Sequence, residues 1–394
     1  MKVLIEKIVN GGYGLGRVNG QVCLVPYTVP GDVVELGLPS GGDGRNAPLI
    51  FEIRDIIEPS PRRVQSQCPV FGLCGGCDYD HLTYEYELTV KRDVILEDLR
   101  RIASLAIEDV SVVQSPSEYG YRNHAYVRVG EEGCPGFFMK RSHQVVAFPS
   151  EGCLLLDRIL NDLVKEMLRD GPFKEGGIRI RANMQDETFC RGLPGRIDDV
   201  EARYRVGDME FSLGIDDFFQ VNNLLNHRWV QLIEENLEPE PEDRLIDLFC
   251  GSGLIALSIA GSVRTITGIE GNGRAARYAR FNAQRNGIDN VTFFTRDLTH
   301  KGALKHMAPS GEGPLKVVAD PPRTGIAGHL IESIAALSPV IVVYVSCNSA
   351  TLARDLCIFS RMGYRTERMT VIDMFPRTHH IEAVARLRFT GAGA

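Results

Sequence analysis

The most constraining stretch of this chain runs from Pro339 to Asp355, PVIVVYVSCNSATLARD. Val340 to Val345 form an unbroken apolar run rich in β-branched side chains. That pattern fits a strand buried on both faces of a parallel sheet. The run ends at Ser346-Cys347-Asn348 and passes into a segment expected to be helical. Cys347 therefore sits just past the carboxyl end of a strand, the edge at which open α/β sheets bind ligands. A thiol there is either a small residue filling a strand end or a nucleophile, and the surrounding pattern decides between them.

From about residue 215 onward the chain alternates helices with buried strands. RLIDLFC leads into Gly251-Ser252-Gly253 and then LIALSIAG, the strand, glycine turn and helix that open a doubly wound nucleotide-binding fold. Glycines there let the backbone approach a ligand closely. The next strand, RTITGIE, ends at Glu270, and an acidic residue 19 positions after Gly251 suits the hydroxyls of a ribose. VTFFTRD places Asp297 at a third strand end, and PLKVVAD runs into Asp320-Pro321-Pro322-Arg323. Prolines after a strand stiffen the loop and hold the Asp320 carboxylate toward the crevice. The chain closes with an expected antiparallel hairpin, YRTERMTVIDMF and AVARLRF, with Glu382 at the same edge. These signals together indicate a cofactor containing a nucleoside.

At 394 residues the chain is too long for one ordinary core. It divides into 1–58, 59–214 and 215–394. Residues 1–58 read as five short strands with glycine turns, an OB-like β-barrel. Gly11 to Gly16 carries GxGxxG spacing without a strand–helix context, so it reads as a turn. Residues 59–214 read as an α+β domain opened by a cysteine-rich loop. There Cys68, Cys74 and Cys77 form C-x5-C-x2-C, soft thiolates suited to zinc or an iron–sulfur cluster. Cys153, in the loop PSEGCLLL, is the best candidate for a fourth ligand. Arg122, Arg141, Arg179 and Arg181 stand either as phosphate contacts or as ordinary surface arginines. No apolar run reaches transmembrane length and the N-terminus lacks a signal-peptide layout, so a cytoplasmic protein is expected. Net charge is −7, which excludes a uniformly basic nucleic-acid binder, yet residues 264–394 hold 17 Lys and Arg against 10 Asp and Glu. The basic excess lies in the part that carries Cys347.

DLFCGSG, GIE, DPPR-TG, SCN-x-x-TLARD and DMFP-x-T-x-H-I-E, in this order, resemble the S-adenosylmethionine-dependent RNA uridine-5 methyltransferases. The resemblance extends to CPVFGLCGGC, to FFQVNN and to the N-terminal barrel, which is similar to the TRAM RNA-binding module. It implies a C-terminal Rossmann-like methyltransferase domain, S-adenosylmethionine beside Gln220, Phe249, Glu270 and Asp320, and a [4Fe–4S] cluster on Cys68, Cys74, Cys77 and Cys153. It implies Cys347 as nucleophile and Glu382 as base. Leu254, Ile255 and Arg377 depart from the family pattern, and their departures bear on the pocket for the methionine end of the cofactor. The chemistry is coherent: thiolate addition at carbon 6 of uracil gives an enolate that activates carbon 5, and a base then removes the carbon-5 proton. An RNA partner follows, with ribosomal RNA of the 23S kind favoured over tRNA, no membrane, and a monomer expected. The alternatives are a tRNA uridine-5 methyltransferase, a cytosine-5 methyltransferase, whose nucleophile is expected in a Pro-Cys loop absent here, or a non-catalytic RNA-binding or ribosome-assembly factor. Which uridine is modified is not written in the sequence.

Overall fold

The computed structural model describes residues 1–42, 48–107, 110–183, 187–193 and 201–391. Five strands, β1 (Lys2–Val9), β2 (Tyr13–Val18), β3 (Gln21–Pro26), β4 (Val33–Gly41) and β5 (Leu49–Glu58), close into a barrel in the order β1-β2-β3-β5-β4. Alternating residues point inward, and Val3, Ile5, Cys23, Val25, Val34 and Leu36 fill the barrel as a small core of its own.

The chain next forms α1 (Tyr84–Asp98), which Thr83 starts by accepting a hydrogen bond from the Tyr86 N–H, and then the short strand β6 (Val110–Val113). Strands β7 (His124–Val129), β8 (Pro135–Phe138) and β9 (Val145–Ala147) follow, then helix α2 (Arg158–Asp170). With β10 (Gly176–Ala182) and β11 (Thr188–Arg191) they make a five-stranded sheet ordered β11-β10-β7-β8-β9. Helix α2 covers one face of it through Leu160, Leu163, Val164 and Met167. A hairpin, β12 (Glu201–Val206) and β13 (Met209–Gly214), completes the middle region.

The remaining elements are α3 (Asn226–Leu237), β14 (Arg244–Leu248), α4 (Leu254–Ile259), β15 (Thr265–Glu270), α5 (Gly273–Arg285), β16 (Val291–Thr295), β17 (Leu315–Ala319), α6 (Gly328–Ala336), β18 (Ile341–Ser346), α7 (Ser349–Arg361), β19 (Tyr364–Ile372) and β20 (Glu382–Phe389). They build an eight-stranded sheet ordered β16-β15-β14-β17-β18-β20-β19-β6. Every residue of β17 and β18 is buried, β18 through its apolar run and β17 with Lys316 held inside by an ion pair to Asp243 (2.6 Å). The order reverses between β14 and β17, which opens a crevice at their carboxyl ends.

The packing does not respect a boundary at residue 215. Strand β6 adds to the large sheet by pairing in parallel with β19, Val110 opposite Met369. Helix α1 lies in the same core, where Ile95 and Leu99 join Leu356 and Phe359. Hairpin β12–β13 packs on the other face through Phe211 and Leu213, with Trp229 and Leu257. Like the barrel, the sheet β7–β11 with α2 keeps a core of its own. Among the described residues no helix is long and apolar enough to cross a membrane.

Candidate active site

Register places the acidic and thiol groups side by side. Leu248 pairs with Ile269 on β15 and with Ala319 on β17, and Ala319 pairs with Tyr344 on β18. Ser346 pairs with Ala383, so Cys347 and Glu382 fall next to each other where β18 ends and β20 begins. Along one sheet edge the chain thus presents Asp297, Glu270, Phe249 with Gly251, Asp320, Cys347 and Glu382. Asn348 caps α7 by accepting from the N–H groups of Ala350 (3.0 Å) and Thr351 (3.3 Å), which fixes Cys347 just outside a helix N-terminus.

Burial suppresses the ionisation of the three groups nearest the reaction centre. Burial pushes the Cys347 thiol up to about 11, and the carboxyls of Glu382 and Asp320 add to the effect while Arg323 opposes it. Burial also raises Asp320 to about 7. Glu382, only 4% exposed, is raised well above the usual carboxylate range by burial and by Asp320. The Trp229 indole lies close enough to pull Glu382 down slightly but falls short of hydrogen-bond geometry, leaving its N–H without a partner. Burial in this pocket thus disfavours the charged forms of the thiol and of both carboxyls.

Beside Cys347 the pocket is lined by Arg323, Asn348, Ser349, His379 and His380, and also by Asn10 from the barrel. The Asn10 amide donates to Ser349 Oγ (2.9 Å) and to Asp98 Oδ2 (3.2 Å). Burial, the neighbouring His379 and the charge of Arg323 hold His380 neutral, with its pKa lowered to about 3. Nothing in the sequence signalled that a barrel residue would wall this pocket, because the contact joins positions 10 and 349.

On the other side of the edge, Glu270 accepts from the Gly251 N–H (2.9 Å) and the Asn272 N–H (2.6 Å), pinning the glycine turn. Gly251 has φ +54, and a Cβ there would meet nothing within 4 Å, so open space lies beside the backbone. Phe249 holds a left-handed φ of +62, a costly conformation for a bulky residue and typical of a functional turn. Asp297 is exposed and accepts from the N–H (2.8 Å) and hydroxyl (2.7 Å) of Thr299. Gln220 is buried and its carbonyl is held by Asn123 Nδ2 (2.9 Å). Asp247, missed in the sequence reading, is fully buried on β14 with Oδ2 accepting from the Ala256 N–H and Oδ1 unpaired. A lone acid inside the apolar run RLIDLFC was the available signal. Leu254 and Ile255 are buried in the core.

Cys68, Cys74, Cys77 and Cys153 line one enclosed cavity whose wall is otherwise largely apolar, with Phe71, Phe137, Phe148 and Leu155 among its residues. Their thiols are all raised, first by burial and then in part by one another, Cys74 to about 11. The Gly76 N–H donates to Cys74 Sγ at 3.4 Å. Among the described residues no three His, Cys, Asp or Glu side chains converge closely enough for a single metal ion. Four thiols around one shared apolar cavity suit an iron–sulfur cluster or zinc, with Cys68, Cys74, Cys77 and Cys153 as the ligands.

This loop also braces the segment that carries Glu382. Asp78, next to Cys77, accepts from the His379 N–H (3.0 Å), pairs with His379 Nδ1 (2.6 Å) and bonds Lys140 Nζ (2.5 Å). Burial alone would raise the Asp78 carboxyl, but His379 and Lys140 hold it well below the ordinary range. Arg377, expected from the sequence to bear on the methionine pocket, is instead buried away from it. Its carbonyl accepts from the Asp78 and Tyr79 N–H groups, and its side chain bonds the Leu82 carbonyl and Glu118. The correction arises because the loop between β19 and β20 folds back over the cysteine segment. Of the four arginines read as possible phosphate contacts, Arg181 is buried against Tyr204 and the Asp217 carbonyl, and Arg141 bonds the Ser40 carbonyl. Arg122 is half-buried, and Arg179 pairs with Asp216 at 3.0 Å.

A doubly wound sheet with a glycine turn, an acidic strand end and a thiol–carboxylate pair at one edge defines a methyltransferase-like α/β enzyme. Residues 196–388 match the family model described as tRNA (Uracil-5-)-methyltransferase. An uncharacterized RNA methyltransferase of Nostoc is 32% identical, the alignment covering 100% of this chain and 97% of the relative. A protein of Pseudomonas entomophila named 23S rRNA (uracil(1939)-C(5))-methyltransferase RlmD is 30% identical over 98% of this chain and 92% of its own. The crystal structure of the Pyrococcus abyssi tRNA (uracil-54, C5)-methyltransferase with S-adenosyl-L-homocysteine superposes with a TM-score of 0.73, covering 98% of this chain and 100% of that one at 24% identity. The chain belongs to the RNA uracil-5 methyltransferase family.

Proposed function

We propose that this protein methylates carbon 5 of a uridine in RNA through a covalent adduct on Cys347, with Glu382 as the base. The observation that carries the reading is the adjacency of Cys347 and Glu382 fixed by the β18–β20 register, at a ligand-binding sheet edge. S-adenosylmethionine, when bound, supplies an electrophilic methyl group on a positively charged sulfonium. The open space at Gly251 and the acids Glu270 and Asp320 suit such a ligand, with Gln220, Phe249 and Asp297 along its border. Cys347 loses its proton to solvent and Sγ adds as the thiolate to carbon 6 of uracil, the C5–C6 π pair moving to an enolate that makes carbon 5 nucleophilic. Once carbon 5 carries the methyl group, Glu382 takes the carbon-5 proton and the Cys347–carbon 6 bond breaks by β-elimination, regenerating the thiolate.

Ribosomal RNA of the 23S kind is the favoured substrate, because relatives so named align over nearly the whole chain. A tRNA substrate is the second reading, favoured by the name of the matching family model. The four cysteines are read as ligands of a structural [4Fe–4S] cluster, and the barrel as a TRAM-like RNA-binding module. A monomer is the expected state.

Two variants test the mechanism. Cys347→Ala is expected to abolish both the protein–RNA adduct and methylation. Glu382→Gln is expected to stall after methyl transfer, giving a slow-migrating protein–RNA band on a denaturing gel that contains the cofactor's methyl label. Normal turnover by Glu382→Gln, or an adduct formed by Cys347→Ala, would overturn the assignment. Mapping 5-methyluridine in total RNA with and without the protein separates the ribosomal and transfer RNA readings.

A further inference from the structure

One face of the β7–β11 sheet is closed by α2, and the other carries a row of stacked side chains that the methyl-transfer chemistry does not use. Tyr126 on β7 is 42% exposed. The Arg128 guanidinium lies 3.9 Å from the centre of the Tyr126 ring and 4.6 Å from that of Phe138 on β8. Arg179 on β10, directly opposite Tyr126 in the strand register, lies 5.0 Å from the same ring. The order across three strands is therefore Phe138, Arg128, Tyr126, Arg179. Gly177 makes this possible, because a Cβ there would sit 2.2 Å from the Tyr126 hydroxyl oxygen.

The ladder has a positive surplus. Arg128 has no carboxylate partner among the described residues. Among the described residues, Arg179, Arg191 and Arg274 share the carboxylates of Asp216 and Asp217 between them. It is also continuous with the site: Asp216 and Asp217 begin the segment that leads through Phe218, 72% exposed, to Gln220. An exposed ring, Tyr126, and a half-buried one, Phe138, interleaved with guanidinium planes are the chemistry that stacks unpaired bases and pairs with the phosphates between them.

We propose that this ladder binds a single-stranded stretch of the substrate RNA flanking the target uridine. The inference rests on the reading of the protein as an RNA methyltransferase, but it is tested by binding alone. The probe is a fluorescent single-stranded RNA of about 12 nucleotides, within the span such surfaces cover, with a duplex of equal length as comparison. Arg128→Ala and Tyr126→Ala are each expected to weaken single-strand binding roughly five- to a hundred-fold. Arg128→Ala should also reduce the slope of log affinity against log salt by about 0.7. Tyr126→Phe should bind as the parent does, and S-adenosylhomocysteine affinity should be unchanged throughout. Should Arg128→Ala fail to fold, Arg128→Gln is expected to show the same loss. Unaltered single-strand affinity in the folded variants, or equal losses for single strand and duplex, would overturn the proposal. Binding lost as expected in a protein that never methylates uridine would overturn the functional reading and leave this one standing.

Discussion

Lys91 is 1% exposed and bridges Glu87 (2.7 Å) and Asp373 (2.6 Å), while also donating to the Phe375 carbonyl (3.1 Å). Burial would strip its charge, but the Asp373 and Glu87 carboxylates raise its pKa above the ordinary value. Lys91→Met would leave two buried carboxylates facing each other beneath the loop that leads to Glu382. A loss of about 3–5 kcal/mol in denaturant unfolding is expected, since removing one partner of a buried charge network leaves the others uncompensated. Asp320 makes a second residue-scale prediction. Its carboxyl titrates at about 7 in the folded protein and near 3.9 in an unfolded chain, so between those values the folded state holds a proton that the unfolded state has lost. Stability from this group is full below pH ~4 and falls as pH rises toward 7, by up to about 1.4 kcal/mol per unit. Melting of the cofactor-free protein from pH 4 to 8 should show that decline, and Asp320→Asn should flatten it. A curve unchanged by Asp320→Asn would remove the linkage.

At the scale of elements, the turn between β1 and β2 couples the barrel to the catalytic pocket. Gly12 has φ +75, and a Cβ there would come within 2.9 Å of His379 Cβ and 3.1 Å of Asp78 Cβ. A Gly12→Val substitution should therefore push against the Asp78–His379 pair. Methyl transfer is expected to slow at saturating RNA, with S-adenosylhomocysteine affinity kept, because the residues of the glycine turn lie far along the sheet edge. A pure rise in the RNA concentration needed, with the maximal rate intact, would instead assign the barrel to RNA affinity alone.

For the whole molecule, the cysteine-rich loop is the junction at which barrel, middle region and large sheet meet. Methyl transfer from a sulfonium consumes no electron, so the cluster proposed there is expected to serve architecture, through the bonds of Asp78 and Arg377 to the segment before Glu382. Protein purified without oxygen should be brown, and Cys74→Ser should lose that colour together with folding yield and RNA binding. Full activity in a verified cluster-free protein would remove the structural role, and a colourless, zinc-containing preparation would replace iron by zinc.

The sequence by itself determined the local elements and their edge. The apolar run of β18, the turn Gly251-Ser252-Gly253 and the acids closing β15 and β17 are short-range patterns set by burial, glycine freedom and strand ends, and such patterns survive without knowledge of partners. The barrel strands were legible for the same reason, their alternation being a period-two signal. Only the tertiary structure decided that β6 joins the large sheet, that Asn10 walls the pocket of Cys347, that Arg377 braces the cysteine loop, and that Arg128 stacks between Tyr126 and Phe138. Each of these depends on contacts between chain segments far apart or on neighbouring strands, where four residues of β6 or one asparagine carry no periodicity that names a partner.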